Sequence, residues 1–199
     1  MSIAVLVLAA GGSKRLGRPK QLEPWGDSTL LGHILGKVAK LGIEEQWVVL
    51  GSGADEIIDN VDLEGWNVVD NLEWQEGIAS SIRVGLDALV QLTEVETAVI
   101  VLGDQPGIPD EVIPTLLEEH RASERPVTVP KYRYTRSNPA VVDRSHWSRL
   151  MSLEGDEGAM RLFVAHPEWL KEVWFEHLPP FDIDTDMDIA EHRPRRRPS

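Results

Sequence analysis

The sequence predicts an α/β fold built on a mostly parallel sheet with helices on both faces, and three observations carry the prediction. Ile3 to Leu8 and Thr97 to Leu102 are short, uninterrupted apolar runs, as required of strands covered on both sides. Segments with helical apolar spacing stand between such runs. The two alternate along the first 120 residues, the rhythm of strand–helix–strand units.

Taken in order, Ile3-Ala-Val-Leu-Val-Leu8 is the first strand, followed by a Gly-rich basic segment from Gly11 to Lys20. Leu30, Leu31, Ile34, Leu35, Val38 and Leu41 then recur at helical spacing, with Ser28 or Thr29 as N-cap and Gly42 just past the end. Trp47 to Leu50 reads as a strand, 54–60 as a short helix and Trp66 to Val69 as a strand. Ile78 to Leu92 is an amphipathic helix through Ile78, Ile82, Leu86 and Leu89. After the strand Thr97 to Leu102, a helix over 110–120 carries Pro114, which the first turn tolerates. Beyond Arg125 the pattern predicts short strands at 126–130 and 139–142, a helix at 158–170 and a strand at 171–175. Residues 1–191 are expected to form one domain, and 192–199, with four arginines and two prolines, a disordered basic tail.

Composition excludes several function classes. A formal net charge of −13 argues against a general nucleic-acid binder, which needs a basic face. The chain has no cysteine, so disulfides, thiol catalysis and cysteine-ligated metal are excluded. The opening apolar run is too short for a membrane span, and its basic residues follow it, unlike those of a signal peptide. A cytoplasmic protein with no membrane or nucleic-acid partner is the expectation. The six histidines show no metal-ligand spacing, and the seven scattered tryptophans read as core or half-buried surface, Trp74 before the Glu76-Gly77 turn being the one to watch.

In an open α/β sheet, ligands sit beyond the carboxyl ends of the strands. Two features lie there. Leu8-Ala-Ala-Gly-Gly-Ser-Lys-Arg-Leu-Gly-Arg-Pro-Lys20 follows the first strand. Its glycines let the backbone aim N–H groups at an anion, and Arg15 and Lys20 add charge for phosphate oxygens. Its spacing matches neither a Walker A loop nor a Rossmann fingerprint. Gly103-Asp-Gln-Pro106 follows the strand Thr97 to Leu102, where Asp104 suits Mg²⁺, a cation that takes one or two carboxylates and fills its shell with phosphate oxygens and water. The acidic cluster Asp182-Ile-Asp-Thr-Asp-Met-Asp188 offers a further ligand, Asp184 being preferred. The plainer alternatives are a turn before Pro106 for Asp104, a solvated surface for the acidic run, and helix packing for Ser80 and Ser81.

The motif Leu8-Ala-Ala-Gly-Gly-Ser13 with Arg15, Gly17, Pro19 and Lys20 resembles the signature of the molybdenum cofactor nucleotidyltransferases, most closely their cytidylyltransferase branch. Gly77-Ile-Ala-Ser-Ser-Ile-Arg-Val-Gly85, Gly103-Asp-Gln-Pro106, Asn138-Pro139, Gly155-Asp-Glu-Gly-Ala159 and Asp182-Ile-Asp-Thr185 continue the resemblance in order. Ser137, where the family favours Gly or His, and Asp186, where it favours Pro, depart from it.

The resemblance implies a three-layer, Rossmann-like nucleotidyltransferase fold and Mg²⁺-dependent transfer of CMP from CTP to the terminal phosphate of molybdopterin, with a molybdoenzyme as a possible recipient of the product. It implies that Leu8, Ala9, Ala10, Gly11, Gly12 and Ser13 wrap the nucleotide, with Asn71, Gly77, Ser80 and Ser81 beside it. Arg15 and Lys20 would grip the triphosphate, and Asp104 and Asp184 would bind the metal. Asn138, Gly155, Asp156, Gly158 and Asp182 would face the acceptor. The alternatives are a guanylyltransferase for the same cofactor, a transferase for another phosphorylated metabolite, and a non-catalytic pterin carrier.

Overall fold

Alternation within single strands builds the molecule in layers. The computed structural model describes residues 2–194. In chain order it runs β1 (Ile3–Leu8), a small hairpin of β2 (Pro24–Trp25) and β3 (Ser28–Thr29), α1 (Leu30–Ala39), β4 (Glu45–Leu50), α2 (Ala54–Asn60), β5 (Asn67–Asp70), α3 (Ile78–Leu92) and β6 (Thr97–Leu102). It continues with α4 (Val112–Arg121), β7 (Val127–Tyr132), β8 (Thr135–Arg136), β9 (Ala140–Asp143), α5 (Trp147–Met151), α6 (Ala159–Ala165), β10 (Leu170–Phe175) and α7 (Asp186–His192).

Ala4, Leu6 and Leu8 of β1 pack with Ile82, Leu86 and Leu89 of α3, Trp147 of α5 and Phe163 of α6. Val5 and Val7 point the other way, onto Leu31, Ile34 and Leu35 of α1, Ile57 of α2 and Leu116 of α4. A strand whose two faces are both buried reads as one apolar run, as β1 does. The main sheet has eight strands in the order β10-β7-β9-β6-β1-β4-β5, with β8 paired to β7. Pairings β6–β1–β4–β5 and β10–β7 are parallel, whereas β9 runs antiparallel to both β6 and β7. Register matters for the site. Leu8 lies opposite Leu102, and Val49 opposite Leu8, so β1, β4 and β6 end side by side. The chain leaves β1 for β4 on one side and later returns to β6 on the other, which opens a crevice at the end of β1.

The structure corrects the sequence expectations in five places. The helix expected at 158–170 is α6, which stops at Ala165, because Pro167 has no N–H to donate and pushes its predecessor out of helical geometry. The acidic run is not a loose surface: its second half forms α7. His192, expected to open a disordered tail, closes α7 and stacks on Phe181 with ring centroids 3.6 Å apart. Arg193 reaches back to Glu23 at 2.9 Å, while 195–199 lie outside the described residues. Helix α5 and the β2–β3 hairpin were not anticipated. No helix among the described residues is long and apolar enough to cross a membrane.

Helix α3 lies close on the sheet at Gly85, where an added Cβ would come within 2.8 Å of Leu6 and 2.9 Å of Val49. Gly85→Val is therefore expected to cost about 1–3 kcal/mol through overpacking, read as a lower denaturation midpoint. An unchanged midpoint would show that the helix lifts freely.

Candidate active site

The crevice beyond β1 holds a cleft of about 390 Å³, lined by the whole Leu8–Arg15 loop with Lys20, Gln21, Trp74, Gln75, Gly77, Ile78, Ser81, Leu102, Gly103, Asp104, Asp156 and Asp184. The loop leaves β1 at Ala9, whose N–H is still held by Val49 O. Ser13 then turns through a positive φ of 47°, and its carbonyl accepts the N–H groups of Leu16 and Gly17. Its hydroxyl accepts the N–H of Lys20 at 3.1 Å, folding the loop back on itself. Gln21 braces the loop from behind, donating to the carbonyls of Ala9 and Gly11 at 2.7 and 3.1 Å. Among the described residues, the N–H groups of Gly11 through Arg15 have no acceptor in the protein. Successive free N–H groups on a turning backbone form a concavity suited to an anion.

Trp74 packs so close on Gly12 that a Cβ there would lie 2.5 Å from the indole. The ring is thus one wall of the cleft. The opposite wall is electrostatic. Lys20 Nζ sits 2.8 Å from Asp104 Oδ2 and 2.9 Å from Asp184 Oδ1, and Arg15 pairs with Asp184 from the solvent side. Burial alone would lower the Lys20 ammonium, but Asp104 and Asp184 outweigh it and hold its pKa above the usual lysine value. Burial pushes the Asp104 carboxyl upward more than Lys20 pulls it down, with Asp182 and Asp184 adding to the rise. Asp104 Oδ1 is buried with no hydrogen-bond partner. An orphaned carboxylate oxygen is costly in a protein interior and suits a hard cation. Among the described residues, no three carboxylate or imidazole groups come together as a ready-made cation cage. Mg²⁺ does not demand one, since it takes most of its shell from phosphate and water.

Asp184 owes its place to the chain's last described segment. Ile183 donates its N–H to Asp104 O at 3.0 Å, and Ile183 and Ile189 pack with Leu16, Trp25 and Leu30 in a small separate core. Thr185 caps α7 by accepting from Asp188 N at 3.2 Å, while Asp188 accepts from the N–H groups of Thr185 and Asp184 at 2.8 and 3.0 Å. The Thr185 hydroxyl and these amides hold the Asp188 carboxylate below its ordinary range. Asp188 is thus spent on the cap. Asp186 pairs with Arg18 at 2.7 Å. Thr185→Ala should weaken α7 by about 0.5–2 kcal/mol, visible as faster amide exchange at Ile189; unchanged exchange would show that packing alone holds the helix.

Of the remaining expected residues, Gly77, Ser81 and Asp156 line the cleft and the others fall outside it. Asn71 and Ser80 are fully buried, with Asn71 Nδ2 donating to Ser80 Oγ and Ser81 Oγ at 2.9 and 3.1 Å. They stiffen the turn into α3 from below, and Ser81 alone of the three lines the cleft. Gly155 accepts Ala79 N through its carbonyl, which sets Asp156 at the cleft edge. Gly158 is the N-cap of α6. Asp182 is bound by Gln105 Nε2 at 2.8 Å. Asn138 precedes a cis proline beside Tyr132. Gln21 was missed, as nothing local in the sequence marks a glutamine that braces carbonyls twelve and ten residues away.

A model of the MobA-like NTP transferase domain matches residues 5–169. The nicotine blue oxidoreductase of Paenarthrobacter nicotinovorans is 31% identical over 176 residues, covering 84% of this chain and 84% of that protein. A homologue of Mycobacterium tuberculosis Rv0371c from Mycobacterium sp. strain JC1 has a solved structure that superposes with a TM-score of 0.84 at 33% identity, over 95% of this chain and 93% of that one. The solved manganese complex of Rv0371c itself gives 0.79 at 27% identity, over 96% and 97%. The three-layer Rossmann-like fold expected from the sequence is therefore the fold of this chain.

Proposed function

The chain belongs to the MobA-like NTP transferase family, and from that premise we propose that it transfers CMP from CTP to the terminal phosphate of a molybdopterin-type acceptor, with release of pyrophosphate. One observation carries the reading: free loop N–H groups stand beside Lys20, which is clasped by Asp104 and Asp184. An anion cradle beside a pair of hard oxygen ligands is what a metal-bound triphosphate requires.

Asp104 and Asp184 would hold a divalent cation, Mg²⁺ by preference, whose chemistry is to neutralise triphosphate charge and orient the leaving pyrophosphate. The Gly11–Arg15 N–H groups receive phosphate oxygens, and Lys20 and Arg15 supply the positive charge that neutralises the negative charge growing on the leaving group. Trp74 and the loop shield the reacting phosphorus from water. The acceptor phosphate is already an anion near neutral pH, so alignment rather than proton removal limits the reaction. In keeping with this, no histidine lines the cleft. Asp156 and Gly77 mark the side from which the acceptor enters.

Base choice rests on Ala10. It is buried, and its methyl lies where a side chain on Gly51 would go, beside Trp74. The methyl narrows the base pocket in favour of a pyrimidine. One methyl is worth about 1–3 kcal/mol of discrimination. CTP is expected to outcompete GTP, and Ala10→Gly to narrow the gap without reversing it. The test is a panel of nucleoside triphosphates with Mg²⁺ or Mn²⁺ and molybdopterin, read by pyrophosphate release. Equal use of GTP would overturn the cytidylyl reading, and release with another phosphorylated acceptor alone would overturn molybdopterin.

A second reading follows from the oxidoreductase relative. The same cradle suits the pyrophosphate of a dinucleotide hydride donor. Hydride transfer needs no metal, so such an activity would survive Asp104→Asn, whereas nucleotidyl transfer would not.

A further inference from the structure

We propose that the chain has a second ligand site, on the far side of the Asp104 loop, for a small amphipathic anion that acts as an effector. Where α1 and α4 diverge over the end of β6, a pocket of about 270 Å³ opens, walled by Ile34, Val38, Leu41, Ile108 and Ile113. Its size is close to the lower end of small-molecule sites, about 300 Å³.

Two polar features mark the pocket. Gln105 forms part of the wall and is 5% exposed. Its Nε2 donates to Asp182, and because a carboxylate only accepts, the amide orientation is set. That leaves Gln105 Oε1 buried without a partner, so this wall is held through one end of the amide. At the mouth stand Lys37 and Lys40. Asp110 and the Ile108 carbonyl hold Lys37, whereas Lys40 has no ion pair among the described residues. The mouth is therefore positive in a chain of net charge −13. Burial and then these two lysines hold nearby His33 below its ordinary pKa, in keeping with that local field. An apolar body with an anionic group at the mouth fits the walls and the lysines together.

The pocket is wired to the first cleft. Gln105 follows Asp104 directly and holds Asp182, while Asp104 O holds Ile183 N, so one loop joins both candidate metal carboxylates. A ligand packed against Gln105 and Pro106 fixes that loop, and the coupling between the two sites must be reciprocal.

The test uses 8-anilinonaphthalene-1-sulfonate, which has apolar rings and a sulfonate, titrated into the full chain by calorimetry. One site per chain is expected, still open with saturating Mg²⁺ and CTP but with its affinity changed about fivefold or more. Leu41→Trp, which fills the pocket, should weaken binding about tenfold or more, as lost apolar complementarity does. The exposed Lys40→Glu should weaken it several-fold with an unchanged melting temperature. Equal binding in both variants, simple competition by CTP, or an affinity indifferent to CTP would overturn the proposal. A dimer that Lys40→Glu dissociates would overturn it in favour of a second copy of the chain. The effector role rests on nucleotide binding in the first cleft; if CTP fails to bind at all, that reading fails by itself and the two variants still decide whether the pocket is a ligand site.

Discussion

Asp104→Asn is expected to reduce turnover by about 10³-fold or more, the loss of several kcal/mol of metal-derived stabilisation at the reacting phosphate. The substitution keeps the shape and removes the charge. The melting temperature should hold, because the lost carboxylate was buried with one oxygen unpartnered, and Lys20 keeps Asp184. Steady-state pyrophosphate release and a thermal melt check both halves. Near-normal turnover would remove Asp104 from the metal site, and a collapsed melt would make it a structural residue.

Lys20→Ala should cost about 10²–10³ in kcat as well as nucleotide affinity, as the removal of a positioned charge from a developing anion does. A change confined to KM would mean uniform binding instead. The geometry adds a second, opposite effect. In the absence of ligand the ammonium sits between the two carboxylates, 2.8 and 2.9 Å away, as their resident counter-ion. A divalent cation must displace it, and the incoming triphosphate gives it a new partner. Lys20→Ala is therefore expected to bind Mn²⁺ alone more tightly than the wild type does, measured by electron paramagnetic resonance without nucleotide. Weaker metal binding in the variant would show that Lys20 positions the carboxylates rather than occupying their place.

What was legible in the sequence was local. The apolar runs of β1 and β6 and the period of α1 and α3 state both their secondary structure and their burial within a few residues. The Gly-rich loop announced itself in the same way. Helix α5 did not, because its two core residues, Trp147 and Leu150, are too few to establish a period. Helix α7 was masked by its own acidity, although Thr185 followed three residues later by Asp188 is a capping pattern that marks a helix start. Pro167 was the overlooked stop signal for α6. The site is a different matter. Lys20, Asp104 and Asp184 are 84 and 164 residues apart from Lys20 outward, and no spacing rule joins them. Family motifs named them. The register that ends β1 and β6 together brings the Lys20 loop beside Asp104, and the Ile183 N–H on Asp104 O brings Asp184 to them.

The lateness of Asp184 bears on how the protein is made. A ribosome delivers Lys20 and Asp104 long before the segment that holds Asp184, and until that segment docks on Leu16, Trp25 and Leu30, Lys20 lacks one of its two clasps. A nascent chain can therefore build its sheet before both carboxylates are in place around Lys20. The clasp around Lys20 therefore closes only once the segment through Ile189 has been made and docked.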